Sequence, residues 1–164
     1  MSKAFVAIAT IGSLVVTGCG SDSLTIPTGN GQVTVSSSDD KTAVVETKDA
    51  NGNTQTTTFT GEGKLPEKFP KEIPIPDGAT IQAAITSNDS MTVAVDIAKN
   101  FDDTLKIYKD YITQSGYSNV TETLIEDSYM ASGDKDGNQV LITISKTTDD
   151  PNLMNVAIVY GPKK

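Results

Sequence analysis

Apolar and polar residues alternate most sharply in the second half of the chain. Met91, Val93, Val95 and Ile97 recur at every second position, as do Val140, Ile142 and Ile144, and then Met154, Val156, Ile158 and Tyr160. A period of two places one set of side chains on one face of a strand, so each run predicts a half-buried β-strand. Ile81, Ala83 and Ile85 form a weaker run of the same period, and Tyr129 to Ser132 a short one. The polar cluster Ser87-Asn88-Asp89-Ser90 and the dipeptide Asp136-Gly137 separate neighbouring runs and predict hairpin turns.

Between the strand patterns the period changes. Phe101, Leu105, Tyr108, Tyr111 and Ile112 recur at helical spacing and form one stripe. Asn100 suits the N-cap, Asp102 and Asp103 suit the positive end of the helix dipole, and Gly116 suits the stop. Burying such side chains stabilises by roughly 1.5–3 kcal/mol each before chain entropy is subtracted, and the stripe needs a sheet to pack on.

The first half carries less apolar mass. Residues 19–40 are rich in Gly, Ser, Thr and Asp and are expected to form a flexible tether, with a strand-like run at Gln32 to Val35. Residues 41–63 predict a β-hairpin: Ala43 to Thr47 and Thr54 to Thr60 flank Asn51-Gly52, whose positive φ preference suits a tight turn. Residues 64–78 hold Pro66, Pro70, Pro74 and Pro76 and predict an extended connector pinned by Phe69 and Ile73. Residues 79–164 then form the main domain. The expected fold class is α+β, a mostly antiparallel sheet in the order ββαβββ with the helix on one face.

The amino-terminal segment has a different pattern. Lys3 precedes an apolar run from Ala4 to Val16, and small residues lead to Cys19. That run is shorter than the ~20 residues a membrane-spanning helix needs, so residues 1–18 predict a processed signal peptide. Val16-Thr17-Gly18-Cys19 resembles the lipobox of bacterial lipoproteins. The resemblance implies cleavage before Cys19 and acylation of its sulfur, hence a lipid-anchored protein on the extracytoplasmic face of the cell membrane. An ordinary secretory signal with an incidental cysteine is the alternative. The stretch from Phe69 to Tyr117 is also similar to one in uncharacterised bacterial envelope proteins, a resemblance that brings no activity with it.

Composition narrows the chemistry. The 164-residue chain has a formal net charge of −8, no His and no Trp. All its basic residues are Lys, and Cys19 is its one cysteine, so no intrachain disulfide can form. Absent His removes the commonest general base, and absent Arg removes the bidentate fork for phosphate and carboxylate. The acidic balance disfavours nucleic acid as a partner. Asp134-Lys135-Asp136-Gly137-Asn138 looks like the start of a calcium loop, but its sixth and twelfth positions are Gln139 and Ser145 rather than Gly and Glu. Asp49 to Asn53 has the same look, and a hairpin turn accounts for both. Ser38-Asp39-Asp40-Lys41 has the Ser-x-x-Lys spacing of penicillin-binding enzymes without their other motifs. Gly61-Glu62-Gly63-Lys64 lacks phosphate-loop spacing. Adjacent carboxylates at Asp102/Asp103, Glu126/Asp127 and Asp149/Asp150 are the remaining catalytic candidates, but such neighbours at a helix start or in a loop are far more often solvated surface.

These readings lead to an expected non-enzymatic binding or assembly module of the envelope, with no cofactor, no metal and no catalytic residue assigned. A small carboxylate-dependent hydrolase and a solute-capturing module are the alternatives. Its expected partners are the membrane, through lipid on Cys19, and an envelope protein. If Val93, Val140, Ile142, Val156 and Ile158 face the helix, alternation places Thr92, Ala94, Leu141, Thr143, Ala157 and Val159 on the opposite face, with Met130 beside them. Met130, Leu141, Thr143, Ala157 and Val159 are therefore the candidate interaction face, unless the Thr-rich hairpin folds back over them.

Overall fold

The computed structural model describes residues 23–39, 41–147, 150 and 152–163. The apolar leader, Cys19 and Asp149 lie outside the described residues. The elements are β1 (Ser23–Thr28), β2 (Gly31–Asp39), β3 (Thr42–Asp49), β4 (Thr54–Thr60), β5 (Thr80–Ser87), β6 (Ser90–Ile97), α1 (Phe101–Gln114), β7 (Ser118–Ile125), β8 (Ser128–Lys135), β9 (Asn138–Lys146) and β10 (Met154–Pro162). They build one 10-stranded sheet in the order β1-β2-β3-β4-β5-β6-β10-β9-β8-β7. Every pairing in it is antiparallel. The chain runs out along one wing, crosses through α1 to the far edge, and returns until β10 closes against β6.

The expected ββαβββ order is corrected: six strands precede the helix and four follow it. The added strand after the helix is β7, exposed at every position because it is the sheet's outer edge. An edge strand with no buried face has no reason to alternate, and its pairing with β8 is interrupted by a bulge between Ser118 and Thr121. The added strands before it include β1 and β2, in residues expected to be a tether. The hairpin of β3 and β4 does not fold back over the sheet. It extends the sheet sideways, because β4 pairs with β5 through Phe59↔Ile85 and Thr57↔Ser87.

Directly paired residues in an antiparallel sheet share a face. Ala84, Val93, Ile158, Ile142 and Ala131 form one transverse row, and Val95, Val156, Ile144 and Tyr129 another. All are buried. α1 lies over β8 and β9 on this side, and Phe69 and Ile73 of the proline-rich connector enter the same core. The helix begins as its sequence implies: Asn100 Oδ1 accepts from the Asp103 N–H at 2.9 Å, and Gly116 beyond its end has φ +75°. Its buried face is turned slightly from the expected stripe. Thr104 is fully buried and Leu105 only partly so. A threonine is tolerated there because its hydroxyl donates to the Asn100 carbonyl at 3.0 Å.

β5 contains the other departure. A bulge between Ile81 and Ala83 inserts one residue against β6. The slip reverses the alternation, so Ala84 enters the core while Ala83 and Ile85 turn to the other face.

Candidate binding face

The face opposite α1 has no covering layer among the described residues. One row crosses nine strands on it: Ser37, Ala43, Phe59, Ile85, Thr92, Val159, Leu141, Ser132 and Thr121. None of these side chains is charged. The adjacent row is Ala94, Ala157, Thr143 and Met130. All five residues expected to form the interaction face, Met130, Leu141, Thr143, Ala157 and Val159, thus lie together on the uncovered side.

Exposed large apolar residues collect there. Phe59 is 43% exposed, Ile85 38%, Val159 36% and Met130 45%. The wing repeats the pattern: Leu24 and Ile26 of β1 pair with Val35 and Val33 of β2, and Val35 with Val45 of β3. The register carries these residues onto the same side as Phe59, while Glu46 and Thr58 take the opposite side. Two shallow depressions interrupt the face. One of about 530 Å³ is lined by Ser37, Ala43, Phe59 and Ile85, and one of about 330 Å³ by Ser90, Leu141, Val159 and Gly161. A third, of about 570 Å³, lies on the helix side of the wing between the connector at Leu65 and Pro66 and the strands at Thr58 and Met91.

Charge on the uncovered face is sparse: Lys41 and Glu62 line the first depression and Lys163 the second, and two carboxylates are held by partners. The Asp96 carboxylate accepts from Gln82 Nε2 at 2.8 Å and from Asn155 Nδ2 at 2.9 Å. Asp134 at the margin accepts from Lys163 Nζ at 2.6 Å and from Asn119 Nδ2 at 2.9 Å, and these contacts, Lys163 first, hold its carboxyl below the usual range.

The acidic motifs serve as turns. Asp49 accepts from the Asn53 side chain and from the backbone N–H groups of Asn51 and Asn53, all at 2.9 Å, which lowers its carboxyl pKa, the Asn53 side-chain bond being the largest cause. Asp136 and Gly137 both have positive φ, as a tight β9 hairpin turn requires. Asp102 and Asp103 occupy the first turn of α1, where Asp103 accepts from Asn100 Nδ2. Glu126, at φ +47°, makes the β7–β8 turn with Asp127, and Asp127 pairs with Lys146 at 2.7 Å. Among the described residues no group of three or more His, Cys, Asp or Glu side chains could hold a metal ion.

Sequence reasoning missed the wing's share of the face, at Leu24, Val35 and Phe59, and Ile85 beside it. The signal was present for Val33 and Val35, which alternate with polar neighbours, but at low apolar density. The described residues define an open-faced antiparallel sheet with one helix on its other side. No protein-family model matches the chain, and no curated protein or solved structure matches it either.

Proposed function

We propose that this protein is a lipid-anchored, extracytoplasmic binding and assembly module of the cell envelope, acting without catalysis through the uncovered face of its sheet. The observation that carries this reading is the uncharged row across nine strands, with Phe59, Ile85, Val159 and Met130 exposed on or beside it. A sheet face that meets only water usually bears charged and strongly polar side chains, and apolar patches of this extent mark interaction sites.

The anchor rests on the lipobox resemblance at Cys19. Two acyl chains hold a protein stably where one holds it marginally. Ser23, the first residue of β1, follows Cys19 by four positions, a reach of at most about 14 Å. A lipid on Cys19 would therefore keep the β1 edge close to the bilayer rather than at the end of a long tether. No described helix is long and apolar enough to cross a membrane.

Two substitutions separate the parts of the proposal. Cys19→Ser should move the protein to the soluble fraction or leave its precursor unprocessed, and an unmodified Cys19 in the mature protein by mass spectrometry removes the anchor. Leu141→Lys with Val159→Glu should abolish partner capture in the envelope while leaving the separated chain folded, with an unchanged far-ultraviolet circular dichroism spectrum. A variant that loses this spectrum at every concentration would mean that the face is internal to the fold, and the docking surface would be given up.

A further inference from the structure

The uncovered face calls for an occupant, and we propose that it is a second copy of this chain, packed face to face to make a two-layer sandwich. This inference rests on the docking-face reading above and names its partner.

Area is the first argument. Ten strands at about 4.8 Å spacing span roughly 43 Å, and eight residues at ~3.4 Å run about 27 Å, so one face covers on the order of 1,200 Å². Two copies meeting over that face would bury about 2,300 Å², the range of permanent homodimers, and half of that overlap still reaches the lower end of a specific interface. Sheets that pack this way lie about 10 Å apart, a gap that the mixed small and large side chains of Ala157, Thr143, Leu141 and Val159 can fill by interdigitation.

Charge is the second. The chain is strongly acidic, at −8, yet the row facing the partner carries no charge and Asp96 is already held by Gln82 and Asn155. Self-association over this face keeps the acidic surface away from its own copy. A bilayer is a poorer occupant, because the face has no Lys cluster for anionic headgroups. A strongly charged protein partner would find nothing to complement.

The wing is the third. β1, β2 and β3 lie beyond the strands under α1, and the side they share with the uncovered face bears Leu24, Ile26, Val33, Val35 and Val45. Sheets that stand alone gain little stability without a second layer on their apolar side. Among the described residues the one helix lies over β8 and β9 on the other face, and no described element covers this side of the wing. A symmetric partner supplies an equally apolar surface, and an isologous pair closes without leaving a free patch for further growth.

The test is the mass of the purified full chain carrying Cys19→Ser, measured by light scattering across a concentration series. The expected result is a two-copy mass that falls to one copy in the Leu141→Lys, Val159→Glu variant. Association through the amino-terminal apolar segment would survive those changes and so would overturn the proposal. In the same background, Ala157→Cys should give a disulfide or short bismaleimide dimer, while Lys106→Cys on the outer side of the helix should not. Should the charged variant be poorly folded, Ala157→Cys against Lys106→Cys decides alone: equal cross-linking at both positions, or none at either, overturns the second copy. A single-copy mass, with Ala157→Cys in the full chain cross-linking to a different protein in the envelope, removes the second copy and leaves the docking face standing. A single-copy mass with no adduct in the envelope removes both.

Discussion

Ile112 and Leu105 offer a quantitative test of how α1 sits on the sheet. Ile112 is 1% exposed within the core, whereas Leu105 packs only partly against it. Ile112→Ala removes three buried carbons, worth about 0.8 kcal/mol each in lost transfer energy. A residual cavity of ~50 Å³ adds about 1 kcal/mol at roughly 24 cal/mol per Å³, and the better helix propensity of Ala returns ~0.4 kcal/mol. The expected loss is therefore about 3 kcal/mol. Leu105→Ala should cost only about 1–1.5 kcal/mol, since roughly half of the same apolar contact is at stake. Urea unfolding followed by far-ultraviolet circular dichroism suits this Trp-free chain, and both variants should keep the parent slope while their midpoints shift. A Leu105→Ala loss equal to or larger than that of Ile112→Ala would refute the argument, because it would mean the helix is rolled towards the stripe with Leu105 at its centre.

Further outcomes follow from the same packing. Asp49 and Asp134 have folded-state pKa values below their ordinary 3.8, so the stability they supply is fully present above that value and is lost as pH falls below it. Burial raises Tyr108, Tyr111 and Tyr129 above their ordinary 10.0, so their contribution is fully present below pH 10 and is lost above it, when the unfolded chain ionises first. With no His in the chain, thermal melts should be nearly flat between about pH 5 and 9 and fall on both sides; a step between pH 6 and 7 would contradict this. Gly161→Ala would set a Cβ 2.5 Å from Ser90 Oγ and 2.9 Å from Ser90 Cα, and should cost ~1–3 kcal/mol in a urea titration; a neutral effect would mean that β6 and β10 part easily at that end. Tyr108 is fully buried and its hydroxyl has no hydrogen-bond partner among the described residues, so Tyr108→Phe should leave stability unchanged or raise it by about 1 kcal/mol; a loss of that size would show that the hydroxyl is satisfied after all.

Much of the central sheet was legible because β6, β9 and β10 pair residue for residue without a bulge, so their period of two converts directly into two faces. Leu141, Thr143, Ala157 and Val159 could be assigned to one side on that ground alone. The helix limits were legible from Asn100 and Gly116. Elsewhere a local feature overrode the pattern. One inserted residue in β5 reverses the side on which Ile85 lies, and no composition signal marks Gln82 as the place of that slip. Thr104 displaced Leu105 from the buried stripe because a backbone carbonyl satisfies its hydroxyl. β7 was missed because both of its faces are exposed, and β1 and most of β2 beyond the run Gln32 to Val35 because Ser and Thr fill their polar side as they would fill a linker. Partner pairing along the sheet, rather than apolar content, makes these segments strands.

The account stands most directly on whether the face opposite α1 is covered where the protein works. Carbene footprinting of the full chain in its native envelope, compared with the Leu141→Lys, Val159→Glu variant in the same envelope, measures this residue by residue. Met130, Phe59 and Ile85 should be protected in the parent and labelled in the variant, while the outer helix residues Lys106 and Lys109 should label equally in both. Equal labelling of Met130, Phe59 and Ile85 in parent and variant would show the face open to water in its working state, and would contradict the reading of this protein as a docking module.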